Sequence, residues 1–237
     1  MSGLIRYCMV VALAVCIFTG ATAQKTGVSV SLGGATFQMD DMKYLMDIIL
    51  ISYPLEGEII SSFPPYFSGS VNILRQIYPH LRVDAGYTYT TTGARANYTD
   101  YSGTIYTDMI AVSHRLGASV NYSLIGSDHL NLSLYGRLDA NFTNLDITSS
   151  INVLSLSSTT HNKYNSISPN GSVGLEFLYT FKESAIGIEG GYLVDLPGKL
   201  KNRETGNKLL DPNDRQRVLT SDWTGWRVGI KGIIWIK

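Results

Sequence analysis

The clearest alternation of apolar and polar positions in the chain runs from His129 to Thr143. Leu130, Leu132, Leu134, Leu138, Ala140 and Phe142 occupy one parity; Asn131, Ser133, Tyr135, Arg137, Asp139, Asn141 and Thr143 occupy the other. A period of two places successive side chains on opposite faces of a strand. The run is long against the usual strand of about five or six residues, but it suits a tilted strand crossing a membrane, which needs about ten residues for the hydrocarbon alone. The same pattern recurs in Leu81–Thr90, Met109–Leu124, Ser172–Phe181 and Trp226–Lys237, and in weaker form in Gly27–Gln38, Tyr66–Tyr78 and Ala185–Asp195. Eight strands are therefore predicted.

The connections alternate in length. Tyr78-Pro79-His80, Ile125-Gly126-Ser127-Asp128 and Lys182-Glu183 are short, whereas Met39–Pro65, Thr91–Asp108, Asp146–Tyr164 and Leu196–Trp223 are long. Short turns at one end and long loops at the other predict an all-β fold: an eight-stranded antiparallel up-and-down transmembrane β-barrel with short periplasmic turns and four long extracellular loops. A soluble lipocalin-like barrel is the rival, and its apolar parity would face inward around a ligand. The polar parity argues against that arrangement, because it holds ten charges: Arg82, Arg115, Arg137, Arg227 and Lys231 against Asp84, Asp139, Glu176, Glu189 and Asp195. Aromatic residues give an independent check. With the first strand running outward, Tyr87, Tyr89, Phe142, Tyr192 and Trp226 fall near the outer interface, and Tyr122, Tyr179 and Phe181 near the periplasmic one. That is the placement expected of two aromatic girdles.

Composition narrows the class further. Charged residues make up only 16% of the chain, with 23 Gly and 15 Tyr, and after Phe18 no apolar run is long enough for a spanning helix. Residues 1–23 read as a cleaved secretory leader: Arg6, an apolar run from Met9 to Phe18, and the small residues Ala21-Thr22-Ala23 before Gln24. The working domain is then 24–237. Both cysteines, Cys8 and Cys16, lie in the leader, so the domain offers no thiol for a disulfide or a metal. Lys and Arg number 19 against 19 Asp and Glu. Loss of Arg6 with the leader leaves a balance near zero that does not attract nucleic acid.

With these features in place the chain resembles the small eight-stranded outer-membrane proteins of the OmpA/OmpX type, a porin-like group. Thr92-Gly93-Ala94-Arg95 continuing through Asp100-Tyr101-Ser102-Gly103, and Phe63-Pro64-Pro65-Tyr66 before the second strand, are similar to barrels of Bacteroidota. The resemblance implies residence in the outer membrane of a Gram-negative bacterium. It also implies partners during assembly, namely periplasmic chaperones and the barrel-insertion machinery, and afterwards outer-membrane lipid and lipopolysaccharide. One departure stands out: such chains often end on an aromatic residue, whereas this one ends Trp235-Ile236-Lys237.

The ten lumen charges have two readings. Buried ions must be paired, so they form either a salt-bridge plug or a narrow polar path for ions or small solutes. Catalysis is not expected. His80 and His129 fall at turns, His114 and Ser113 lie on opposite faces, and His161 sits in a loop near Ser157 and Ser158, so no Ser–His pair is preorganised. No cofactor or metal site is expected either.

In the first long segment Asp40 or Asp41 can cap a short helix, with Met42, Leu45, Met46 and Ile49 on one face and Pro54 ending it. That face either packs on the barrel rim or docks a partner. Tyr98, Asp100 and Tyr101 suit recognition of a surface protein or glycan. The mixed charges of Leu196–Trp223 suit either a solvated surface or lipopolysaccharide phosphates.

Overall fold

All eight alternating segments are strands in the computed structural model, which describes residues 25–51, 58–101, 103–127, 129–153 and 156–236. The leader and Pro54 lie outside the described residues. In chain order the elements are β1 (Thr26–Ala35), α1 (Asp40–Ile51), β2 (Glu58–Ser62), β3 (Tyr66–Tyr78), β4 (Leu81–Asp100), β5 (Gly103–Gly126), β6 (Leu130–Val153), β7 (Leu156–Phe181), β8 (Ser184–Asp195), β9 (Lys201–Asn202) and β10 (Gly225–Ile236). Every ring pairing is antiparallel, and the ring closes where β1 meets β10, from Thr26 opposite Ile236 to Ala35 opposite Arg227. Closure removes the free edges that an open sheet would present to lipid. β2 lies outside the ring on the upper part of β4, and β9 touches β7 at Tyr164 and Asn165.

The two faces of the ring are inverted relative to a soluble barrel. Val30, Leu116, Val120, Leu134, Leu138, Val173, Leu175, Ile188, Val228 and Ile230 are exposed on the outside, while Ser29, Asn72, Arg82, Asp84, Ser113, Asn141, Glu176 and Lys231 are buried within. This is the transmembrane arrangement. Among the described residues no helix is long and apolar enough to cross a membrane.

The predicted loops Thr91–Asp108 and Asp146–Tyr164 are corrected by the structure, because their described residues are strand up to the tips of two long hairpins. β4 and β5 stay paired up to Asp100 opposite Gly103, and β6 and β7 up to Val153 opposite Leu156. At about 3.4 Å per residue the 24 residues of β5 span roughly 80 Å along the strand, far more than the ~30 Å hydrocarbon layer requires. β1, β3, β8 and β10 have only 10 to 13 residues. The wall made by β4–β7 therefore rises well above the rest of the ring.

Against this wall the chain builds a second, conventional core. The inward parity continues unbroken along β5 and β6, but its chemistry changes from Ser113, Asn141 and Thr143 to Ala111, Met109, Leu145 and Ile147, all four of these apolar side chains buried. α1 covers them with Met42, Leu45 and Met46, and the segment after β8 adds Leu200, Leu219 and Trp223. Ile49 packs at the edge of this cluster. The apolar face of α1 is thus turned into the molecule, which is the packing arrangement and not the docking one. Met39 makes the turn into the helix at φ 49° and accepts from the amides of Met42 and Lys43.

The segment Leu196–Trp223 is also ordered beyond expectation. Lys199 bridges Thr220, Lys201 bridges Lys208, and Leu210 bridges Val218.

Candidate functional site

The interior of the ring is the site, and its strands deliver the ten predicted charges to it. They do not form one network. Five of them make a bonded cluster: Arg82 reaches Asp84 at 2.8 Å and Glu176 at 2.9 Å, while Lys231 reaches Glu176 at 2.6 Å, Glu189 at 3.4 Å and Asp84 at 3.7 Å. Asn121 donates to Asp84 at 3.1 Å. Glu176 is fully buried, and two cations serve it, Arg82 from β4 and Lys231 from β10. A second unit is Arg137, which reaches Asp139 at 2.7 Å and also donates to Asn72 Oδ1 at 2.8 Å and to the Gly86 carbonyl at 3.3 Å.

The remaining three depart from the expectation that every lumen charge finds an opposite one. Among the described residues neither Arg115 nor Arg227 has a carboxylate within salt-bridge distance. Arg115 donates to Thr90 Oγ1 at 3.3 Å, and its Nε meets no protein acceptor. Arg227 donates to the carbonyls of Thr36 at 2.6 Å, Trp223 at 2.6 Å and Trp226 at 3.0 Å, and lies over the Phe37 ring. It latches the end of β1 to the start of β10. Asp195 accepts from Ser168 Oγ at 2.8 Å and the Trp223 amide at 3.2 Å. Backbone carbonyls take the hydrogen bonds of the Arg227 guanidinium without supplying an opposite charge, and residue type alone gives no sign of such partners.

Four levels follow along the barrel axis. At the top, Trp223, Phe37 and Met39 join the α1 core; Phe37 and Trp223 meet edge to face at 5.3 Å, and Trp223 Nε1 donates to Thr143 Oγ1 at 2.8 Å. Below lies a polar cavity of about 90 Å³ bordered by Arg115, Arg137, Arg227, Lys231, Asp84 and Glu189. The Arg82–Glu176–Lys231 cluster forms its floor, backed by the buried Leu74, Leu178, Ala185 and Ile233. A hollow of about 430 Å³ then opens between the periplasmic turns, bordered by His80, Arg82, Asn131 and Trp235.

Several lumen residues escaped the charge-based reading. Tyr135 lies along the inner wall over the adjacent strands β7 and β8, so that its hydroxyl stands 2.6 Å and 2.3 Å from where Cβ atoms on Gly174 and Gly191 would sit. A side chain at either glycine would displace it. Gly117 makes similar room for Asp139, whose Oδ1 lies 2.1 Å from the place of a Cβ there. Asn72, Asn121 and Asn141 bridge these groups. The alternation marks their face, but an uncharged amide gives no further signal in sequence.

On the outside, the aromatic residues predicted at the outer interface gather in two groups. Tyr87 and Tyr89 pack on His114, with Tyr87 Oη 2.6 Å from His114 Nδ1, and Phe142 sits opposite His114 in the register. Tyr192 and Trp226 meet at 5.1 Å. At the other end Tyr179 stacks with Phe181 and His129, and Tyr122 lies opposite Leu81, the first residue of β4. His161 faces Thr148 across the β6–β7 hairpin at 3.1 Å, so the predicted vicinity of Ser157 and Ser158 is replaced by strand pairing. Tyr101 is fully exposed at the β4–β5 tip, next to Asp100, the last residue of β4; Tyr98 precedes them on the same strand. Among the described residues no three His, Cys, Asp or Glu side chains gather as a metal site.

No family model and no curated protein matches the chain. Solved structures do. A major outer membrane protein from Thermus thermophilus superposes with a TM-score of 0.55 at 14% identity, covering 91% of this chain and 100% of that one. Ail, the attachment invasion locus protein of Yersinia pestis, gives 0.40 at 12% identity over 90% of this chain and 99% of its own. Neisserial surface protein A gives 0.39 at 13% identity over 91% and 98%. An identity this low speaks to fold alone, and the Thermus superposition, with the closed ring, the outward apolar belt and the polar interior, makes the chain a transmembrane β-barrel with the architecture of an outer-membrane protein.

Proposed function

We propose that this chain is a non-catalytic outer-membrane protein of a Gram-negative bacterium, delivered by a leader cleaved after Ala23, whose sealed barrel carries an extracellular platform for contact with a surface partner. The observation that supports this best is closure at two separate heights. The Trp223–Phe37–α1 core occupies the extracellular end, and the Arg82–Glu176–Lys231 cluster crosses the lumen below it. An eight-stranded ring is just wide enough for side chains to fill, and here they close it at these two heights. The raised β4–β7 wall, tipped by Tyr101, is then the part that reaches beyond the lipopolysaccharide layer, with the charged segment after β8 beside it. Lipid and lipopolysaccharide surround the barrel; chaperones and the insertion machinery act before it is folded.

The test is the conductance of refolded protein 24–237 in a planar bilayer, with insertion verified by protection of the membrane strands from protease. A silent bilayer is expected. Steady channels whose size or ion selectivity changes in Arg137→Ala or Glu176→Gln would overturn the sealed reading in favour of a narrow porin.

A further inference from the structure

The charges bordering the mid-barrel cavity do not balance. Arg115, Arg137, Arg227 and Lys231 face it, against Asp84 and Glu189. Both carboxylates are already engaged: Arg82 holds Asp84 at 2.8 Å, and Lys231 reaches Glu189 at 3.4 Å. On the other side, Arg137 is spent on Asp139. Asp139 and Asp195 also act on Arg115, and Asp195 on Arg227, from a distance, but the Asp195 carboxylate is turned to Ser168 and the Trp223 amide and is one charge shared between two guanidinium groups. The guanidinium groups of Arg115 and Arg227 meanwhile repel one another. Arg115 is 5% exposed, and its Nε and that of Arg227 have no protein acceptor among the described residues. Leaving a buried cation without a counter-charge costs several kcal/mol, and uncharged protein groups such as Thr90 supply only part of the compensation.

We propose that this cavity binds a small monovalent anion of the halide class, held between Arg115 and Arg227. At about 90 Å³ the space admits roughly six to nine water-sized guests, each needing about 10–15 Å³ by this measure, so a halide ion fits together with ordered water and no side chain has to move. Tyr135, which also borders the cavity, carries a hydroxyl that is a further candidate donor for the ion. The site is structural in character, a counter-ion for a cavity whose own lining carries more cations than carboxylates, and it is independent of whether the barrel conducts.

Two measurements test it. The first is anomalous diffraction from crystals of the refolded barrel grown in sodium bromide: a bromide peak beside Arg115 Nε supports the site, while solvent without anomalous signal in the cavity, or bromide confined to the protein surface, overturns it. The second is equilibrium unfolding in lipid vesicles, with sodium chloride exchanged for sodium gluconate at constant ionic strength. A ligand bound only by the folded state raises the folding equilibrium constant in proportion to its concentration once above its Kd, about tenfold per tenfold change. That slope is expected for chloride in the native protein and is expected to vanish in Arg115→Met. Where Arg115→Met fails to fold, Thr90→Asp serves instead, since Thr90 Oγ1 already accepts from Arg115 at 3.3 Å and a carboxylate there supplies the counter-charge internally. A folded Thr90→Asp barrel that keeps the full chloride slope, or a native barrel with none, would overturn the proposal.

Discussion

Trp223 donates its indole N–H to Thr143 Oγ1 at 2.8 Å, and this bond lies where the interior of the barrel changes character. Below it the inward side chains are Asn141, Asp139 and Arg137; above it they are Leu145 and Ile147. One strand parity therefore serves two solvents. Within the membrane lipid receives the apolar side chains and the lumen takes the polar ones. Above the membrane water surrounds the wall, so the lumen side becomes the place to bury apolar area.

Trp223, at 1% exposure, is the joint between these regimes and should be costly to lose. Trp223→Ala is expected to destabilise the protein by about 3–5 kcal/mol through lost contacts and the cavity left behind. Trp223→Phe keeps most of the packing and drops the donor, for about 1 kcal/mol. Urea titration of folding in lipid vesicles measures both. Equal losses would mean that the hydrogen bond, and not the packing, dominates.

The charged floor makes an asymmetric prediction. Arg82→Met leaves Asp84, Glu176 and Glu189 with Lys231 as their near cation, and uncompensated buried charge of this kind costs about 3–5 kcal/mol. Glu176→Gln leaves Arg82 with Asp84 and Lys231 with Glu189, and the amide still accepts hydrogen bonds, so a loss of about 1–2 kcal/mol is expected. The same titration ranks them. If Glu176→Gln proved the more damaging, the cluster would be organised around the carboxylate and not around the balance of charge.

The height of the membrane is testable with a cation at two exposed positions of β6, one on the lipid-facing parity and one near the hairpin tip. Leu138 is 75% exposed in the middle of the apolar belt, whereas Ile151 is 39% exposed near the top of the β6–β7 hairpin. Leu138→Arg is expected to cost about 2–4 kcal/mol, as a cation near the bilayer midplane does. Ile151→Arg, standing in water, should fall within about 0.5 kcal/mol of the native protein. Comparable costs for the two would place the membrane boundary higher than the change in the interior implies.

What the sequence reveals and what it hides follow from the same inversion. The membrane strands are legible because lipid outside and charge inside force a strict alternation, as in Leu134, Arg137, Leu138 and Asp139. The upper halves of β4–β7 are not, because there the outward positions are Arg95, Asp108, Asp146 and Thr148 while the inward ones include Ala94, Ala96 and Met109. Polar and small residues in that mixture have the composition of a loop. The helix at Asp40 was legible through its spacing and its acidic first turn. Which side of it would be covered depended on Leu200, Leu219 and Trp223, far away in sequence. Arg227 illustrates the limit for the site: its partners are main-chain carbonyls, which every residue carries.

Asp41 ties the cap together, and it offers the last prediction. Its Oδ2 accepts from the Thr220 amide at 2.9 Å and the Thr220 hydroxyl at 2.8 Å, and its Oδ1 pairs with Arg217. Arg217 also lies over the Tyr44 ring and reaches Asp211 at 3.4 Å. The Arg217 side chain is about half exposed, so its ion pair is screened and contributes little, typically about 0–1 kcal/mol. The bonds to Thr220 are more sheltered, and hydrogen bonds to a charged group are worth about 1.5–3 kcal/mol. Asp41→Ala is therefore expected to speed hydrogen exchange at the Thr220 amide and in the first turn of α1 by about tenfold or more, with the amides of the membrane strands unchanged, since opening the cap is a local event. Arg217→Ala should produce a much smaller change at the same amides. Equal acceleration by both substitutions would show that the exposed ion pair, and not the carboxylate's grip on Thr220, holds the helix over the barrel.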